Sequence, residues 1–117
     1  MTKARQKGKN AENLASNYLR EHGYQLITAN YHIYGAEVDI IAVNQATGAL
    51  HIIEVKYRAT IDHSIFAVAA TKLARMIKAS EDFINKNTTY SNHDISIDII
   101  AVDHLGSIEH LQNISLL

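Results

Sequence analysis

Two short apolar segments constrain this chain more than any other feature. Glu37-Val38-Asp39-Ile40-Ile41-Ala42-Val43 and Leu50-His51-Ile52-Ile53-Glu54-Val55-Lys56 are rich in Val and Ile, and a small polar run at residues 44–49 separates them. β-branched runs of this length favour extended backbone, and a polar, glycine-containing connection favours a hairpin. A symmetric hairpin pairs Val43 with Leu50, Asp39 with Glu54 and Glu37 with Lys56. Side chains alternate along a strand, so Glu37, Asp39, Glu54 and Lys56 are predicted to share one face. Val38, Ile40, Ala42, Ile53 and Val55 then point the other way, into a core.

Three acids and a lysine inside such strands are costly unless paired or bound to metal. Asp39 and Glu54, placed directly opposite, would repel each other, and one would tend to keep a proton. A hard divalent cation relieves that repulsion by taking oxygen ligands from both. Mg2+ fits best, because it binds through one or two carboxylates and keeps several waters, and Mn2+ has similar ligand preferences. Lys56, two residues beyond Glu54, could hold an attacking water or stabilise charge on a phosphoryl group. Glu37 is a further ligand or a partner for Lys56. The competing interpretation is that lysine and inward charge merely protect a sheet edge, with Glu54 and Lys56 as a surface pair.

The remaining pattern supplies a frame. Ala11, Leu14, Ala15, Tyr18 and Leu19 recur at helical spacing, with Asn10 as the cap and Gly23 as the stop. Residues 24–34 read as a first strand that Asn30 bends. Residues 59–65 form a loop. Phe66, Ala70, Leu73, Ile77 and Ile84 predict a second helix over 66–86, with a stripe broad enough to lie on a sheet. Residues 95–101 form a fourth strand, and 108–114 a short fifth strand at an edge. The order is helix, three strands, helix, then one or two strands: a mixed α/β (α+β) chain. The seven histidines (His22, His32, His51, His63, His93, His104 and His110) show no compact ligand spacing. They read as surface or local hydrogen-bonding residues, with His51 on the polar face of the hairpin.

The 117 residues suit one domain, here residues 10–117, behind a mobile basic arm at residues 1–9. Lys3, Arg5, Lys7 and Lys9 precede the first acid, Glu12, so the arm is either a solvated tail or a phosphate contact. The absence of cysteine excludes disulfides, thiolate metal sites and cysteine nucleophiles. No apolar run is long enough to span a membrane and no signal peptide is visible, so a cytoplasmic protein is expected. A net charge of -1 is unlike the basic excess of most nucleic-acid binders.

With these residues in view, the chain resembles a known group. Asp39 with Glu54-Val55-Lys56 is similar to the signature of the PD-(D/E)XK nuclease superfamily. Gly8-Lys9-Asn10-Ala11-Glu12-Asn13-Leu14-Ala15, Gly23-Tyr24, Asn30-Tyr31, Glu37-Val38-Asp39-Ile40-Ile41-Ala42 and Ile53-Glu54-Val55-Lys56-Tyr57-Arg58 more closely resemble the bacterial YraN/UPF0102 family. The likeness extends to Lys72 and to the closing segment from Ile108 to Asn113. It implies a restriction-endonuclease-like αβββαβ core, with a four- to five-stranded mixed sheet flanked by helices, similar to archaeal Holliday-junction resolvases. It implies Asp39, Glu54 and Glu12 as metal ligands, Lys56 as the catalytic lysine and Glu37 as a site member. The function implied is Mg2+- or Mn2+-dependent phosphodiester hydrolysis on DNA, branched DNA included, with RNA left open and a homodimer expected. Arg58, Lys72 and Lys9 would contact phosphate. The alternative is a nucleic-acid- or partner-binding module that keeps the fold without efficient cleavage. Ala36, His32, Tyr34 and Phe66-Ala67 depart from the family pattern and weaken one positive patch.

Overall fold

The computed structural model describes residues 3–114, with side chains from residue 8 onward. The elements are α1 (Lys3–Glu21), β1 (Tyr24–Ile33), β2 (Ala36–Asn44), β3 (Leu50–Tyr57), α2 (Ala70–Lys86), β4 (Ile95–Val102) and β5 (Ile108–Leu111). The five strands form one sheet in the order β1-β2-β3-β4-β5. All neighbours are antiparallel except β3 and β4, which run parallel because α2 carries the chain back between them. This is the mixed sheet and αβββαβ order expected from the residue pattern.

Each helix covers one face. Ala11, Ala15 and Leu19 of α1 pack with Tyr24, Ile40, Ala42, Ile53, Ile100 and Val102. Met76, Ala79 and Phe83 of α2 pack with Val38, Ile41, Leu50, Ile52, Ile97 and Ile99. β4 contributes to both clusters and is buried from Ser96 to Val102. A strand buried on both faces does not show the polar alternation of a half-exposed one. Among the described residues, no helix is long and apolar enough to cross a membrane.

Three local expectations are corrected. α1 begins at Lys3, so Asn10 lies inside the helix and does not cap it. The side chains of Lys3, Arg5 and Lys7 lie outside the described residues. α2 begins at Ala70, not at residue 66. Asp62 accepts the Ser64 N–H and caps a short 3-10 turn over His63–Phe66, and Ala67 is extended at φ -72° and ψ 124°. Phe66 and Val68 still pack on the α2-side core, so their apolar spacing is real while their backbone is not helical.

The third correction concerns alternation in β2. Ile40, Ala42, Ile53 and Val55 do face α1, but Val38 packs in the α2-side cluster with Ile41. The β1–β2 ladder pairs Ala29 with Ile40 and Tyr31 with Val38, skipping Asn30 and Asp39. Asn30 has φ +53°, a left-handed conformation that Asn tolerates better than most residues. The register shift of this ladder lies between Leu26 and Thr28, and pairing is in step on either side of Asn30; the left-handed Asn30 stands opposite Asp39, where the strict two-residue period of β2 is interrupted.

Candidate active site

The hairpin register is the predicted one: Val43 pairs with Leu50, Ala42 with His51, Ile41 with Ile52 and Ile40 with Ile53. The recorded pairing ends there, one step before Asp39 and Glu54. Instead, Asp39 Oδ2 accepts the backbone N–H of Val55 at 2.8 Å. A side-chain oxygen thus takes a donor from β3, while β3 continues to pair with β4 through Glu54–Ile99 and Lys56–Ala101. Asp39 therefore sits where β2 parts from β3.

Burial pushes the Asp39 carboxyl up to about 6; the Val55 N–H opposes the rise, and the negative charges of Glu12, Glu54 and Glu37 add to it. Glu12, half-buried on α1, is also raised, first by burial and then by Glu37. Four acids from α1, β2 and β3 therefore act on one another electrostatically. No three of them bring ligand atoms within 4.8 Å of one another among the described residues.

The cations near these acids are arranged differently from expectation. Lys56 pairs with neither Glu37 nor Glu54. Its Nζ donates to the carbonyls of Ile65 at 2.9 Å and Ala67 at 3.3 Å. Those carbonyls are within reach because the backbone there is not yet helical. Lys72 of α2 instead forms an ion pair with Glu54 at 3.0 Å, and Glu37 lies 3.7 Å from His32. Arg58 is exposed and donates to the carbonyl of Tyr57 at 2.7 Å. Lys9 is exposed on α1. Arg75, one helical turn after Lys72, was not singled out from sequence. The two line a groove of about 340 Å³ with His32, Gly35, Ala36 and Glu37. The i, i+3 spacing of two basic residues on a predicted helix was the available signal.

The reading of the histidines is corrected for two of them. His51 is buried and faces α1, opposite to the face that carries Glu54. Its Nδ1 donates to Asp98 Oδ2 at 2.5 Å, and His110 Nε2 donates to the same oxygen at 2.7 Å. Ser96 Oγ donates to Asp98 Oδ1 at 2.5 Å, and the Asn113 N–H at 3.2 Å. Burial alone would raise the Asp98 pKa. Hydrogen bonds from His110, His51 and Ser96, with the charge of His51, outweigh burial and hold the carboxyl down at about 2. His51, Asp98 and His110 are a buried group capable of coordinating a divalent metal ion, with all three ligand atoms within 4.8 Å. They come from β3, β4 and the edge strand β5, which no local spacing could connect.

Comparison with known proteins bears on the whole chain. The uncharacterised protein family UPF0102 matches residues 11–102. A UPF0102 protein of Helicobacter pylori strain P12 is 35% identical over 113 residues, covering 97% of this chain and 94% of the relative. One from Sulfurimonas denitrificans is 30% identical over 113 residues, covering 97% and 99%. One from Granulibacter bethesdensis is 29% identical over 109 residues, covering 93% and 68%. The matched span runs from α1 to the end of β4 and contains Glu12, Asp39, Glu54 and Lys56, and the chain belongs to the UPF0102 family.

Proposed function

We propose that this protein is a divalent-metal-dependent phosphodiesterase acting on nucleic acid, at the acids where β2 parts from β3. The observation that carries the proposal is Asp39. A half-buried carboxyl with a pKa near 6, surrounded by Glu12, Glu54 and Glu37, is under-compensated in charge. Ordinary surface pairing does not produce that arrangement, whereas a cation-binding site does.

The residues fit a hard cation. Every donor is oxygen, and Glu12, Glu37, Asp39 and Glu54 outnumber Lys56 and Lys72. Asp39 commits Oδ2 to Val55, which orients the carboxylate and leaves Oδ1 available. Mg2+ or Mn2+ would be held by Asp39, Glu54 and Glu12 and, when bound, supplies Lewis acidity toward a phosphate oxygen. Because no three of these acids bring ligand atoms within 4.8 Å of one another among the described residues, a cation here would keep waters between itself and some of them.

The chain's own groups have distinct tasks. An ammonium has three N–H donors, and two of those on Lys56 are spent on the Ile65 and Ala67 carbonyls. The third can donate to a water or a phosphate oxygen, from a side chain already fixed in place. Lys72 and Arg75 line the adjoining groove, where a polynucleotide backbone would lie, with Arg58 and Lys9 as outer phosphate contacts. The resemblance of Asp39 with Glu54-Val55-Lys56 to the PD-(D/E)XK signature supports a junction-resolving activity, and a domain this small covers little of a duplex. A homodimer acting on branched DNA is the assembly we propose.

A second reading rests on the Lys72–Glu54 ion pair at 3.0 Å. If Lys72 stays on Glu54 when nucleic acid binds, the fold is a binding module without efficient turnover. A cleavage screen over linear, flapped and four-way DNA with Mg2+ or Mn2+ separates the two. Cleavage by the natural chain, absent from the Asp39→Asn/Glu54→Gln double variant, supports the enzyme. Binding without cleavage under every metal supports the module.

A further inference from the structure

We propose that His51, Asp98 and His110 form a second cation site, selective for a late first-row divalent ion such as Zn2+. In this role the site clamps β3, β4 and β5 together and does not depend on the acids of the hairpin. Those acids offer only oxygen. The triad offers two imidazole nitrogens and one carboxylate oxygen, a donor set that suits zinc and disfavours magnesium. His51 and Glu54 are three residues apart on β3, roughly 10 Å along the strand, and they face opposite sides of the sheet. The two sites are therefore chemically and spatially separate.

The oxygens of Asp98 have divided roles. Ser96 Oγ and the Asn113 N–H both hold Oδ1. Oδ2 faces the two imidazoles alone. Fixing one oxygen while presenting the other is how outer partners orient a ligating carboxylate. The far nitrogen of His110, Nδ1, lies 3.4 Å from the Tyr18 hydroxyl, which can set the orientation of that ring. The Tyr24 ring stands edge-on to His51 with centroids 5.0 Å apart and excludes water on that side. His51, Ser96 and Asn113 also line a depression of about 240 Å³, which gives a route in from solvent on the His51 side.

Asp98 is fully buried, and among the described residues its ion-pair partners are the two imidazoles, with no lysine or arginine. A divalent cation in their midst compensates the carboxylate fully. Zinc bonds of about 2.0–2.2 Å hold ligand atoms roughly 3 Å or more apart. From the present 2.5 and 2.7 Å, the two rings need to retreat by less than about 1 Å. Metal binding displaces the proton that each ring nitrogen donates to Asp98, and that proton passes to the ring's other nitrogen or to solvent.

The test uses the full chain stripped with a chelator and titrated with Zn2+ alone, then with Mg2+ alone. One equivalent of Zn2+ should bind at least 100-fold more tightly to the natural chain than to His110→Gln. The Asp39→Asn/Glu54→Gln variant should keep that affinity, so failure here is distinct from failure of the nuclease reading. Because His110→Gln also removes a hydrogen bond to the buried Asp98, the natural chain is followed in parallel by imidazole nitrogen NMR. Zn2+ should shift His51 Nδ1 and His110 Nε2, and Mg2+ should leave both in place. Unshifted rings, or Zn2+ affinity lost with the hairpin acids, would overturn the proposal and leave a hydrogen-bonded imidazole–carboxylate network only.

Discussion

Asp39 carries the clearest consequences at the level of single residues. Its carboxyl, ordinarily at 3.8, stands near 6 in the fold. A raised acid binds its proton more tightly when folded, so folding is favoured most below the unfolded value. In the absence of metal, its contribution should therefore fall as pH rises from about 4 to about 6 and then level off. The shift corresponds to at most about 3 kcal/mol, and partial exposure lowers that to about 1–2. Asp39→Asn keeps an oxygen for the Val55 N–H and removes the charge. Urea melts at pH 7.5 should find the variant as stable as the natural chain or up to about 1 kcal/mol more so. A loss of 2 kcal/mol or more would contradict the charge-repulsion account. The same variant should bind Mg2+ at least tenfold more weakly by calorimetry. Magnesium affinity of the natural chain should rise as pH passes 6, because the cation competes with the Asp39 proton. If Lys56 acts as proposed, on the substrate rather than the cation, Lys56→Ala should remove cleavage and leave Mg2+ affinity within about threefold. Cleavage at the natural rate would reject that assignment.

The elements show what a sequence can and cannot encode. The hairpin register was legible because both strands and their connection are contiguous, and a one-residue slip would exchange the buried and exposed sets. The face of Val38 was not legible, because it depends on the left-handed Asn30 across the ladder in β1. The first turn of α2 was misread because Phe66 and Ala70 have helical spacing, while Asp62 and the extended Ala67 hold the backbone out of the helix. That local geometry also presents two carbonyls to Lys56. Asp62→Ala should accordingly destabilise this turn by removing its cap and also reduce turnover, by loosening the lysine. Retained turnover in a measurably destabilised variant would uncouple the two. Asn30→Val, a β-branched residue at φ +53°, should cost about 1–3 kcal/mol in a thermal or urea melt, whereas Asn30→Gly should be tolerated. The His51–Asp98–His110 group was invisible for a related reason. It depends on the parallel register of β3 with β4, and that register is set by the packing of the intervening helix rather than by any short-range pattern.

For the whole molecule, the net charge of -1 points away from nucleic acid, yet the distribution matters more than the total. Lys72 and Arg75 share one groove beside the acids, and a cation bound there would shift the local balance further toward positive. If polynucleotide lies along that groove, the Lys72→Ala/Arg75→Ala variant should bind DNA more weakly. Its log affinity against log salt should be shallower by about two. An unchanged slope would place the contact elsewhere. The position of β4 has a further consequence, for biosynthesis. Both hydrophobic clusters close around this strand, and it follows 94 residues of earlier chain. During translation the hairpin and both helices leave the ribosome with their apolar sides still unmatched, so cooperative assembly has to wait for β4. A polypeptide stopped at residue 94 should consequently melt without a sigmoidal transition and depend on chaperones for solubility.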